Sequence, residues 1–305
     1  MANLAISSIM PALETDPSPL DTLPRPLAVV IHDAGAANMI AAWAKGAKAP
    51  PDLVIAAGPA AAIWASRFGG DAISGSDPGA VKDAACVLSG TGWASDLEHR
   101  ARIAAAQSGA RSVAVVDHWV NYPMRFERDG TVQLPDTIWV ADADAAAIAR
   151  SCFTDTRIDQ HPNTYMMEQA REAGPCPANG DALFLLEPAR SDWGGDGEGE
   201  FQALGFFMAN RGALSIADDT PVRIRPHPSD PPGKYDAWIA ANPAATLDTS
   251  PDMATALASA RWVIGMNSAA LVIALEAGRE VASALPPHAP TCVLPHSAIK
   301  HLAAL

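Results

Sequence analysis

Leu27-Ala-Val-Val-Ile31, His32-Asp33-Ala-Gly35-Ala-Ala-Asn38 and Met39-Ile-Ala-Ala-Trp-Ala44 follow one another without a break. The first is a continuous run of apolar residues, the second a polar turn, the third an Ala-rich stretch of helical composition. An uninterrupted apolar strand is what burial on both faces produces, and a helix directly after it is the unit from which parallel sheets are built. The same unit recurs. Apolar runs at Leu53–Ala57, Ala85–Leu88, Ser112–Val116 and Thr137–Ala141 predict four more strands. Helical stretches follow several of them, at Ala60–Phe68, Asp96–Ser108 and Ala143–Ser151.

Around His161-Pro162-Asn163 the repeat breaks, and from Glu172 to Gly180 the chain is polar and contains Pro and Gly. It then restarts, with strands expected at Ala182–Leu186, Val222–Arg225, Thr246–Leu247, Trp262–Gly265 and Val281–Ala284. The Gly-rich run from Gly195 to Gly199 reads as a loop before a helix at Phe201–Asn210. The fold class is therefore α/β, with two Rossmann-like lobes whose parallel sheets face a central cleft. The expected divisions are a flexible leader over 1–26, a first lobe over 27–171, a linker over 172–180, a second lobe over 181–286 and a tail over 287–305. That tail is too short for a further lobe and is expected to pack back across the first.

Composition agrees with two packed cores in 305 residues: 49% of them are hydrophobic and only 18% charged. With 34 acidic against 21 basic side chains the net charge is −13, which argues against a general nucleic-acid binder and against electrostatic attachment to anionic lipid. Met1 to Pro26 has no cationic segment and carries Glu14, Asp16 and Asp21, so a secretory signal is not expected. No apolar run predicts a membrane span. Cys86, Cys152, Cys176 and Cys292 are widely separated, matching neither a disulfide framework nor a zinc knuckle, and a reducing cytoplasm is the expected location.

In an open parallel sheet ligands collect beyond the carboxyl ends of the strands. There the second lobe carries Arg223-Ile-Arg225-Pro226-His227-Pro228, two guanidinium groups and an imidazole whose backbone is fixed by flanking prolines. Such a group is suited to holding a phosphate or protonating a leaving phosphate oxygen; a rigid turn with solvated arginines is the plainer alternative. Strand Trp262–Gly265 leads through Met266-Asn267-Ser268 into a helix containing Glu276. Asn267 and Ser268 sit where a helix cap belongs and Glu276 where a ribose could be held, with ordinary capping and a surface charge as the alternatives.

The order of these features resembles the nucleotide-sugar lobe of GT-B glycosyltransferases, and most the sialyltransferase and polysialyltransferase-like group. The resemblance covers the second lobe. It implies that His227 meets a donor phosphate and that Ser268 supports it, with Asn267 alongside. The chain has Asn-Ser where that group commonly has paired Ser or Thr, and no clear equivalent of its acidic-acidic-Gly motif.

The first lobe would then supply acceptor binding and a catalytic base. Its strand ends are His32-Asp33-Ala-Gly35, Ser89-Gly90-Thr91-Gly92-Trp93, and Asp117-His118-Trp119 followed by Asn121, Tyr122 and Arg125. A His–Asp pair can take a proton from a sugar hydroxyl, and Trp93 or Trp119 can stack on a sugar ring. Adjacent residues on a strand point opposite ways, so Asp33 need not touch His32, nor Asp117 His118. Position favours His32 as the base over His118, with Asp33, Asp96 and Asp117 as further candidates. Ser-Gly-Thr-Gly lacks the Lys of a P-loop and the third Gly of a dinucleotide site, so no cofactor is expected. Asp142-Ala-Asp144 has the look of a metal-binding pair, but its place before a helix makes capping the simpler role, and no obligatory metal is expected. The expected activity is transfer of a sugar, such as a sialic or other nonulosonic acid, from a nucleotide donor to a glycan acceptor. A nucleotide-sugar epimerase or hydrolase and a non-catalytic binding subunit are the alternatives.

Overall fold

The structure is a computed structural model that describes residues 17–189 and 191–305. The first lobe opens with β1 (Leu27–Ile31), α1 (Ala34–Lys45), β2 (Leu53–Ala56), α2 (Gly58–Phe68), β3 (Cys86–Ser89), α3 (Leu97–Ser108) and β4 (Arg111–Val116). A short antiparallel hairpin, β5 (Glu127–Arg128) with β6 (Thr131–Val132), precedes β7 (Thr137–Val140), α4 (Ala143–Cys152), β8 (Arg157–Gln160) and α5 (Thr164–Ala173). The main sheet is six-stranded and parallel, ordered β2-β1-β3-β4-β7-β8.

β1 shows why its sequence is apolar without interruption. Leu27, Val29 and Ile31 join one buried cluster with Met39, Trp43 and Trp64, while Ala28 and Val30 join another with Leu97 and Ala101. Alternate residues serve opposite faces, and helices cover both.

The second lobe contains β9 (Asp181–Leu185), α6 (Gly199–Asn210), β10 (Val222–Arg225), α7 (Asp236–Ala241), β11 (Ala245–Leu247), α8 (Met253–Ala258), β12 (Ala260–Gly265), α9 (Ala270–Glu276), β13 (Glu280–Ser283) and β14 (Lys300–His301). Its six parallel strands run β11-β10-β9-β12-β13-β14. The chain order reverses between β1 and β3 in the first sheet and between β9 and β12 in the second. At such points the loops diverge to opposite faces and leave a crevice.

One apolar cluster runs from Ile138 and Val140 of the first sheet to Leu183 and Val263 of the second. Arg279 is buried beside it and donates to the carbonyls of Ala173, Gly174 and Leu257, tying the end of α5 to the second lobe.

The expected leader lies outside the described residues as far as residue 16. The remainder is packed, in contrast to the flexibility expected: Pro19–Thr22 forms a 3-10 turn, Leu20 and Leu23 enter the first-lobe core, and the Ser18 hydroxyl donates to the Trp43 carbonyl at 2.7 Å. The tail supplies edge strand β14, and between β13 and β14 it reaches the first lobe, where His296 Nε2 lies 3.4 Å from Asp142 Oδ2 and its ring 4.7 Å from that of Trp119. Among the described residues, no helix is long and apolar enough to cross a membrane.

Candidate functional site

A cleft of about 710 Å³ opens between the lobes, a volume within the usual range for small-molecule sites. From the first lobe it takes Trp93, His118, Asn121 and Arg125; from the second, Glu187, Trp193, His227 and Asn267. Five of these, Trp93, His118, Asn121, His227 and Asn267, are residues that the strand-end argument singles out as site candidates. Asn121 and Trp193 are two of the four non-glycine residues with left-handed backbone among the described residues (φ 60° and 51°). Such conformations cost energy and persist where the surroundings impose them.

The two cleft histidines share one design. The Ser229 backbone N–H donates to His227 Nδ1 at 3.2 Å, and the Trp119 backbone N–H donates to His118 Nδ1 at 2.9 Å. An imidazole that accepts at Nδ1 carries its proton on Nε2 when neutral, so each ring is a donor at its free nitrogen. Burial lowers the His118 pKa and favours that neutral form. The Ser229 hydroxyl, 2.7 Å from His227 Nδ1, reinforces the same tautomer.

A buried ionic network braces the second-lobe wall. Asp230 accepts from the His227 backbone N–H at 2.9 Å, from Tyr235 Oη at 3.0 Å and from Lys234 Nζ at 3.0 Å. Lys234 also pairs with Glu200, whose second oxygen accepts from the Ala189 backbone N–H at 3.1 Å. The loops after β9 and β10 are thus joined behind the cleft.

Across the cleft, Arg125 donates to Asp117 at 2.9 Å and to Thr91 Oγ1 at 3.3 Å, and its guanidinium lies 5.4 Å from the centre of the Trp93 ring. Asp117 therefore serves Arg125 and does not line the cleft. Its carboxylate lies where a side chain at position 35 would be, which is why glycine occupies the start of α1 there.

Several expected residues lie elsewhere. His32 and Asp33 do touch, Nδ1 to Oδ1 at 2.8 Å, because the Asp33 carboxylate turns back instead of capping α1. The pair sits at the reversal point of the first sheet, with the His32 ring against Gly58 and the Asp33 carboxylate against Gly92, and neither lines the cleft. Beneath it, buried Glu98 accepts from the backbone N–H groups of His32 (2.9 Å) and Gly92 (2.6 Å), and burial pushes its carboxyl up to about 7.

Arg223 and Arg225, expected at a phosphate, are engaged by the protein and do not line the cleft. Arg223 is occupied by Asp181 at 2.7 Å, by Asp248 and by the Ala256 carbonyl at 2.7 Å; Arg225 is occupied by Asp248 and the Ser250 carbonyl at 2.9 Å. Both project sideways toward neighbouring strands. Glu276, the expected ribose partner, is exposed at the end of α9 and outside the cleft lining. Ser268 Oγ accepts from the Ala270 backbone N–H at 3.2 Å, a local capping bond, and neither Ser268 nor Pro228 lines the cleft.

Asp142 caps α4 by accepting from the Ala145 N–H at 2.7 Å, and it also accepts from Trp119 Nε1 at 2.8 Å. His296 joins Asp142 and Asp144 so that their ligand atoms lie within 4.8 Å of one another.

Glu187 is the titratable cleft residue that sequence reasoning missed. It lies just past Leu186 in the loop after β9 and accepts from the backbone N–H of Asn267 in the loop after β12, so the pair bridges the reversal point of the second sheet. Burial raises its carboxyl above the ordinary range, with the Asn267 N–H opposing. The signal was present in the sequence, since Glu187-Pro188 ends an apolar run just as Arg225-Pro226 does.

No family model matches the sequence, nor does any curated protein. Solved structures match in fold. The UDP-GlcNAc 2-epimerase of Methanocaldococcus jannaschii superposes with a TM-score of 0.56 at 9% identity, over 84% of this chain and 83% of that one. A putative UDP-N-acetylglucosamine 2-epimerase of Listeria monocytogenes gives 0.56 at 13%, over 85% and 79%. The glycotransferase of kitacinnamycin gives 0.50 at 13%, over 92% and 86%. The fold is of the GT-B type.

Proposed function

We propose that the chain is a glycosyltransferase that binds a nucleotide-activated sugar in the inter-lobe cleft and passes the sugar to an acceptor hydroxyl. One observation carries this reading: His227 holds a fixed Nε2–H donor on the wall of a cleft that the opposite lobe closes with His118, Arg125 and Trp93. A leaving phosphate needs positioned donors, and a sugar ring is well held by an aromatic face. The donor phosphate lies against His227 and the sugar toward Trp93. A sialic or other nonulosonic acid is the proposed sugar, on the sequence resemblance of the second lobe. Asn267 and Asn121 supply further hydrogen bonds from the two walls.

A second reading, a nucleotide-sugar epimerase or hydrolase, is favoured by the fold likeness to the two epimerase structures. It uses the same phosphate cradle without an acceptor. Binding without turnover would instead mark a non-catalytic subunit that binds a nucleotide sugar or glycan.

A thermal-shift screen against CMP, UDP, GDP and their sugar conjugates tests the reading, because a ligand that binds only the folded state raises its apparent stability. Product analysis then separates transfer to an added glycan from epimerisation or hydrolysis. If no nucleotide or nucleotide sugar shifts the melting temperature, the proposal fails.

A further inference from the structure

We infer that Glu187 is the proton-transfer group of the reaction in the cleft, its free oxygen taking the proton of the attacking acceptor hydroxyl. The inference rests on the reading of the cleft as a nucleotide-sugar site and adds to it the base, which the sequence had placed in the first lobe.

The choice follows from which groups offer the cleft a lone pair. His227 and His118 do not: both accept a backbone N–H at Nδ1, so their cleft-facing nitrogens carry protons. Arg125 is a cation paired with Asp117. His32, held through Nδ1 by Asp33, keeps a lone pair on Nε2, but that nitrogen packs against Gly58 outside the cleft wall. Asp230 and Glu200 are consumed by Lys234 behind the wall. Among the described residues that line the cleft, Glu187 is the one carboxylate.

Its geometry suits the task. Asn267 N–H anchors Oε1, and Oε2 has no hydrogen-bond partner among the described residues. Anchoring at one oxygen fixes the other, and the site lies at the reversal point of the second sheet, one strand from His227. The titratable or charged groups that share the cleft with it are His227, His118 and Arg125. Burial raises the affinity of Glu187 for a proton, with the Asn267 N–H opposing, and a carboxylate shifted in that direction is a stronger base.

The acceptor O–H proton moves to Glu187 Oε2 while the acceptor oxygen forms a bond to the anomeric carbon. The bond from that carbon to the phosphate oxygen breaks, and its electron pair leaves on the phosphate, where His227 Nε2–H donates a hydrogen bond. Glu187 ends protonated and returns the proton to solvent after product release.

The test is Glu187→Gln in the full chain, with the donor taken from the nucleotide screen. Gln keeps the size of the side chain and an oxygen for the Asn267 N–H, and a thermal melt matching wild type establishes that the fold is retained. The expected result is a turnover rate lower by about 10²–10⁴-fold, nearly unchanged affinity for the free nucleotide by calorimetry, and loss of the acidic limb of the rate–pH profile. A Gln variant that turns over at the wild-type rate, or keeps that acidic limb, overturns the role of Glu187 while leaving the cleft reading intact. Failure of the wild-type chain to bind any of the nucleotides or their sugars overturns both.

Discussion

Replacing Arg223 by Met should unfold the protein more easily and leave nucleotide binding alone, the reverse of what its place beside His227 suggests. The guanidinium makes five hydrogen bonds: two to Asp181, one to Asp248, one to the Ala256 carbonyl and one to Ser259 Oγ. The Asp248 side chain is only 2% exposed, so losing Arg223 removes part of the compensation for a buried charge. Breaking a buried pair by deleting one partner costs about 3–5 kcal/mol. Arg225 and the Ser250 hydroxyl still reach Asp248, which places the expected cost near the lower end, about 3 kcal/mol. For lobes of this size that is a fall in melting temperature of roughly 6–12 °C. Thermal unfolding and nucleotide titration of the same preparation are the assays. An unchanged melt together with a tenfold loss of nucleotide affinity would refute the structural assignment and restore the phosphate role.

His227→Ala should weaken nucleotide binding or slow turnover while the melting temperature stays put; a well-folded variant with wild-type kinetics would remove the phosphate assignment. Ser268→Ala deletes one neutral local bond and should cost no more than about 0.5–1.5 kcal/mol of stability, read from urea unfolding, with activity retained. Glu98 supplies a pH dependence: its carboxyl is raised from 4.5 to about 7 in the folded chain, so the native state holds the proton more tightly than the unfolded one. Its contribution is therefore present at low pH and lost as pH rises between those two values, by on the order of 3 kcal/mol. Unfolding free energies of wild type and Glu98→Gln should converge or cross over that window, and parallel profiles would contradict the shift. His32→Gln should leave the turnover rate close to wild type, because the ring lies off the cleft; a loss of a hundredfold in a folded variant would return the base to the first lobe.

The alternation of apolar runs and Ala-rich stretches was enough to read two parallel sheets, because a strand covered by helices on both sides must be apolar at every position. β1 and β10 fall where the pattern puts them. β8, Arg157-Ile-Asp-Gln160, and β14, Lys300-His301, escaped notice because they are edge strands, only partly covered, and carry polar side chains. The strand-end rule likewise singled out His227, His118, Asn267, Trp93 and Asn121, which the fold brings together in the lining of one cleft.

Sequence position could not say where those side chains spend their hydrogen bonds. Arg223 and Arg225 lie as close to His227 in the chain as any phosphate ligand would, yet Asp181, 42 residues away from Arg223, and Asp248 claim them. Glu187 and Asn267, 80 residues apart, meet because β9 and β12 are neighbours at the reversal of the second sheet. Periodic burial is written locally and survives in the one-dimensional pattern. The pairing of charges across strands is set by register and sheet order, which exist only once the chain has folded.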